Sequence, residues 1–233
     1  MRKALCALVL MSSLVLMGSA TGGEDAKAKS SKFLLDSLDS LEAVNSKPEV
    51  ATYAGRRAVR LLNSREDKTL NASGESLAIL TGSDFKDGTI EAEIAGEPRA
   101  GATPDIRGFI GIAFRVQGHG SRFECFYLRM TNGRADDQLR RNHSAQYISA
   151  PDYPWERLRK ENPGVYESYV DIEPAKWTLV KIVVAGTKAQ LYVNGATQPC
   201  LIVNDLKLGE GTGQVALWVG VDTDAYFSNA NVN

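Results

Sequence analysis

Along most of the chain apolar residues recur at every second position between glycine-bearing turns, the period of strands rather than of helices. In FKDGTIEAEIAG, Ile90, Ala92 and Ile94 point to one side and Glu91 and Glu93 to the other. The runs at 54–62, 76–82, 177–186, 189–195, 201–206, 214–220 and 226–232 read as further strands. Those at 108–118 and 122–130 are apolar enough to lie centrally in a sandwich, and Gly118-His119-Gly120-Ser121 between them reads as a hairpin turn. Asn194-Gly195 is a second strong turn signal, because both residues tolerate the positive φ of a type I′ turn. Only the string KFLLDSLDSLEAV around Phe33 could make a short helix. From Thr131 to Pro174 the period weakens over a length too great for an ordinary connection, so short strands or a functional loop are expected there. With no alternation of helix and strand, the pattern predicts an all-β, two-sheet antiparallel jelly-roll β-sandwich.

The first twenty residues break this pattern. Arg2 and Lys3 precede an apolar run from Ala4 to Met17, and Gly18-Ser19-Ala20 supplies the small residues of a cleavage site. The run is shorter than the roughly 20 residues that span a bilayer. Residues 1–20 are therefore read as a signal peptide, 21–32 as a flexible lead and 33–233 as a single domain, periplasmic or extracellular after cleavage and without a stable membrane span.

Composition then narrows the function classes. The chain has 233 residues, 43% of them hydrophobic, enough for one substantial core. With 27 basic against 28 acidic residues there is no broad positive field, so a nucleic-acid partner is not expected. Cys125 and Cys200 remain after cleavage and permit one disulfide in an oxidising compartment, or stand as two buried small apolar residues. His119 and His143 are the only histidines, which leaves little for a zinc site or a histidine triad.

The C-terminal third carries a resemblance. Trp177 opens a strand, Leu191-Tyr192-Val193-Asn194-Gly195 forms a hairpin, Gly213 precedes Val215-Ala216-Leu217-Trp218, and Phe227-Ser228-Asn229 leads into the last strand. This order resembles the concanavalin A-like lectin/glucanase superfamily, in particular its laminin-G-like and DUF1080-type (3-keto-disaccharide hydrolase-like) members, over roughly residues 34–232. The resemblance implies a sugar-handling surface, and calcium as a cofactor to consider. Asp222 and Asp224 are the nearest pair of metal-ligating oxygens, though two alternating aspartates alone supply too few. The Glu-x-Asp-x-Glu strand of laminarinase-like relatives is absent from this sequence.

Candidate ligand-binding residues combine flat aromatic faces with planar hydrogen-bonding groups, the pairing that sugar C–H faces and hydroxyls require. They are Tyr127 and Arg129 on the 122–130 strand, and Asn132, Arg134, Tyr147, Tyr153, Trp155 and Tyr166 in the long central region. If the chain is instead catalytic, a carboxylate pair must come from Glu91, Glu93, Glu124, Asp136 and Asp137. Three readings follow: an oligosaccharide- or polysaccharide-binding sandwich, a glycoside hydrolase or related glycan-cleaving enzyme, and a protein-interaction or envelope-structural module.

Overall fold

The computed structural model describes Met1 and residues 30–63 and 75–233. The proposed signal peptide and most of the lead lie outside these described residues. Two antiparallel sheets pack face to face, the expected jelly-roll-like sandwich. The first sheet runs β13 (Leu201–Val203), β12 (Lys188–Val193), β11 (Thr178–Ala185), β6 (Gly88–Pro98), β15 (Thr223–Val232), β4 (Arg56–Asn63) and β3 (Ser46–Tyr53), with β1 (Ser31–Phe33) also paired to β15. The second runs β10 (Glu167–Ser168), β9 (Ala145–Ala150), β8 (Arg122–Arg129), β7 (Phe109–Gln117), β14 (Gln214–Val219), β5 (Ser76–Leu80) and β2 (Leu41–Val44).

Ile94, Val180, Ile182 and Leu191 of the first sheet meet Ile110, Ile112, Phe126 and Leu128 of the second in the shared core. The outer face of the first sheet is wet, so β11 and β12 alternate buried with exposed or half-buried residues. Strands β5, β8 and β9 behave differently: almost every residue is buried, because side chains and a short helix cover the outer face of this sheet as well. That helix, α2 (Trp155–Glu161), turns Leu158 inward.

Two expectations from the sequence change. The string around Phe33 is not helical; Ser31–Phe33 and Leu41–Val44 are strands on different sheets. Leu35, buried between them, takes a positive φ of 59°, which no helix accommodates. The weakly periodic region resolves into α1 (Gln138–Asn142), β9, α2 and β10, an edge of the second sheet with two short helices folded beside it.

A candidate binding groove on the outer face of the second sheet

On β8 the alternation sends Phe126 and Leu128 into the core, and Tyr127 and Arg129 therefore to the outer face. In register across the sheet, Tyr127 lies opposite Gly111 of β7, and Gly111 opposite Trp218 of β14. Because Gly111 has no side chain, the rings of its two neighbours meet above it, with centroids 4.8 Å apart and planes 30° apart. A Cβ at residue 111 would come within 2.2 Å of the Phe126 carbonyl oxygen and 2.6 Å of the Tyr127 Cβ. The glycine thus makes the aromatic floor possible.

Over that floor lies a cavity of ≈ 420 Å³. Trp155 at the start of α2 forms one wall, Glu75 and Glu156 bring two carboxylates, and Asn45 and Asn63 add amides. Trp218 donates from its indole Nε1 to Glu75 Oε2 at 2.9 Å. Burial lifts the Glu75 carboxyl above its ordinary range; the Trp218 hydrogen bond opposes this and the charge of Glu156 adds to it.

A second cavity, ≈ 250 Å³, shares Phe109 and Trp155 with the first and is lined chiefly by four guanidinium groups, of Arg107, Arg129, Arg140 and Arg159, together with the imidazole of His143. Arg129 is 95% buried by its 5% exposure and gives Nη2 to the Tyr127 hydroxyl at 2.8 Å and Nη1 to the His143 carbonyl at 3.0 Å. Both its Nη atoms reach Gln146 Oε1 at 3.2 Å. The ring of Trp155 sits between two guanidinium groups, 5.6 Å from that of Arg129 and 4.5 Å from that of Arg159. Burial holds the Arg129 pKa below its usual value, and burial does the same to His143.

Of the residues singled out in the sequence, Tyr127, Arg129, Asn132 and Trp155 converge on these two cavities. The others do not. Tyr147 lies on the core side of β9, where its hydroxyl donates to Glu124 Oε2 at 2.6 Å and accepts from the Lys207 backbone N–H at 2.9 Å. Tyr166 packs against Tyr147 and donates to Asp205, Tyr153 lies under Arg157, and exposed Arg134 pairs with Asp171 and Glu173.

The proposed carboxylates scatter. Glu91 and Glu93 face outward from the first sheet, Glu93 paired with Arg56. Glu124 is fully buried on the core side of β8, and burial lifts its pKa. Asp136 is exposed, and Asp137 caps α1 by accepting from the Arg140 backbone N–H. No two of them meet over either cavity. Asp224 holds Arg60 through both oxygens, at 2.7 and 2.9 Å, so Asp222 and Asp224 do not fit a calcium site. Among the described residues no group of three or more His, Cys, Asp and Glu side chains could hold a metal ion. Cys125, on the outer face of β8, and Cys200, beside β13 of the other sheet, are free thiols.

Arg140, in the polar central region, and Arg159, in a small basic patch with Arg157 and Lys160 near Trp155, were visible in the sequence, whereas Glu75, Phe109, Arg107, His143, Glu156 and Trp218 escaped it as site residues. For Trp218 a signal existed: it is the one aromatic residue in the otherwise aliphatic run of β14.

No protein-family model matches the chain, and no curated protein matches it in sequence. Solved structures do resemble it. It is similar to the carbohydrate binding module CBM66 from Bacillus subtilis, with a TM-score of 0.54 and 15% identity over 83% of this chain and 96% of that one. It is similar too to the Crh5 transglycosylase in complex with NAG, with a TM-score of 0.51 and 12% identity over 88% of this chain and 84% of that one. These likenesses show the fold, a two-sheet antiparallel jelly-roll-like β-sandwich. Among the described residues no helix is long and apolar enough to cross a membrane.

Proposed function

We propose that the chain is a saccharide-binding β-sandwich, exported by its N-terminal leader, whose ligand lies in the groove on the outer face of the second sheet. The observation that carries this reading is the aromatic floor of Trp218 and Tyr127, walled by Trp155 and rimmed by amide, carboxylate and guanidinium groups. A sugar offers apolar C–H faces to such a floor and hydroxyls to such a rim, and burying either without the other costs binding energy. Likeness to a carbohydrate binding module and to a transglycosylase supports the reading at the level of fold. The finer kinship with laminin-G-like and DUF1080-type domains belongs to the same proposal and rests on the hairpin and strand motifs of the C-terminal third.

The test uses tryptophan fluorescence. The chain has three tryptophans, and Trp177 lies away from the groove, its indole donating to the Tyr53 carbonyl. In a Trp177→Phe background, a glycan panel is expected to shift emission, and Trp155→Ala is expected to weaken binding at least tenfold. Binding that survives intact in both Trp155→Ala and Trp218→Phe would place the ligand elsewhere.

A hydrolytic reading has one specific observation in its favour. Glu75 and Glu156 line one cavity, and the Glu75 carboxyl is held toward its protonated form, as a general acid needs. Shorter product masses from a bound oligosaccharide, lost in Glu75→Gln and in Glu156→Gln, would establish it; an unchanged ligand would leave a binding module.

A further inference from the structure

The two cavities differ in charge, and the difference bears on the ligand. Glu167 is the one carboxylate at the back of the basic cavity. It takes Arg159 at 2.7 Å and His143 Nδ1 at 2.7 Å, and lies 3.9 Å from Arg129. Asp105, at the rim, accepts from the Thr103 hydroxyl. Arg107 donates to the carbonyls of Pro104 and Ile106, and Arg140 reaches only Asn132 Oδ1, at 3.4 Å. Among the described residues neither Arg107 nor Arg140 is in an ion pair. Four guanidinium groups therefore line a cavity that holds two carboxylates, and the neighbouring cations oppose one another: Arg140 pushes the Arg107 pKa down alongside burial, and Arg159 acts the same way on Arg129. Such clustering costs folding energy unless an anion relieves it.

We propose that this basic cavity receives an oxyanion carried on the saccharide, so that the ligand of the groove is an acidic glycan with its sugar face on the aromatic floor and its charged group among Arg107, Arg129 and Arg140. The inference rests on the groove reading above. Guanidinium forks match the two oxygens of a carboxylate or sulfate in a way that lysine does not, and all four cations here are arginines. A free anion would use only this cavity. Phe109 and Trp155, common to both cavities, instead make the cation cluster continuous with the aromatic floor, so that one ligand can occupy both. Two sources share the chemistry, the carboxylate of a uronic acid and a sulfate ester.

The experiment is calorimetric titration of the purified protein with acidic oligosaccharides, each beside its neutralised partner. Oligouronates are compared with their methyl esters, sulfated oligosaccharides with their desulfated forms, and neutral glucans and inorganic sulfate are included. At least one acidic glycan is expected to bind tenfold or more tightly than its neutralised partner, and the pair that shows the difference names carboxylate or sulfate. Arg107→Gln and Arg140→Gln, both at half-buried positions, are each expected to reduce that difference at least fivefold while leaving the thermal midpoint within about 2 °C. Equal binding of an acidic glycan and its neutral partner, or a difference that both variants leave intact, overturns the inference and leaves the groove reading standing. Exclusive binding of neutral glucans does the same. Inorganic sulfate displacing nothing but itself, with affinity equal to the sulfated sugar, identifies a free-anion site and also overturns it. Failure of every glycan removes both readings.

Discussion

The indole N–H of Trp218 and the carboxylate of Glu75 are joined by a 2.9 Å hydrogen bond at the floor of the aromatic cavity. The bond links two properties of the site that are usually separate, a stacking surface and the proton affinity of an acid. Any ligand that shifts the indole shifts the carboxyl's titration too.

Trp218→Phe keeps an aromatic face and removes the donor. The hydrogen bond lowers a pKa that burial and Glu156 raise, so its loss is expected to move the Glu75 titration further upward, read by carboxyl-carbon NMR. Leaving the carboxyl one partner short is expected to cost about 1–2 kcal/mol in urea unfolding.

Gly111→Ala tests the gap in the floor. Its Cβ would meet the Phe126 carbonyl and Tyr127, both parts of a neighbouring strand with no room to retreat. A loss of about 3 kcal/mol is expected, with a change in near-ultraviolet circular dichroism as the Tyr127 and Trp218 rings separate. A neutral substitution would mean that β7 and β8 are less tightly registered than they look.

Glu124 gives the protein a pH dependence of defined sign. Burial raises its folded pKa above the unfolded value near 4.5. Its contribution to stability is therefore fully present below about pH 4.5 and is lost as pH rises through the folded value. Glu124→Gln is expected to lose this dependence, so the stability of the variant relative to the original should increase as pH rises above about 4.5 and level off once the folded carboxyl has ionised. A difference independent of pH would show that the carboxyl titrates normally.

Arg115 is 1% exposed and donates to the carbonyls of Lys86, Gly186 and Gly209 at 2.7–2.9 Å and to Asp87 at 3.0 Å. Arg115→Met retains the stem and abandons three backbone carbonyls that the guanidinium satisfies. An unfolding penalty of about 3–5 kcal/mol is expected, with hydrogen-exchange protection falling first at residues 86–87, 186 and 209.

The fold was readable from the sequence wherever one face of a strand is wet. Ile90, Ala92 and Ile94 against Glu91 and Glu93 set β6 without ambiguity, and the positive φ of Asn194 and Gly195, 52° and 72°, bears out the turn read from them. Strand β3 escaped because it is an edge: SKPEVATY has no fully buried residue, and Pro48 is tolerated where a ladder hydrogen bond is not needed. The groove was hidden for the opposite reason. In β8 both Phe126 and Tyr127 are buried, so alternation carries no clue to which faces the core and which the ligand. Arg129 and Trp155 were visible as residue types suited to a sugar. Glu75 and Trp218, 143 positions apart, become neighbours only through the pairing of β5 with β14.

The bulged position of Arg115 on β7 has a bearing on how such a protein can change over time. It lies six positions from Phe109 at the mouth of the groove, about 20 Å along an extended strand. At the Arg115 end the loops are gathered mostly by their carbonyls, which every amino acid possesses, and by the Asp87 carboxylate, so the clasp constrains chiefly Arg115 and Asp87. At the Phe109 end the walls are made of side chains from loops that the clasp does not touch. Substitutions there can exchange one ligand for another while the far end keeps the sheets in register, which makes the molecule a durable frame with an editable mouth.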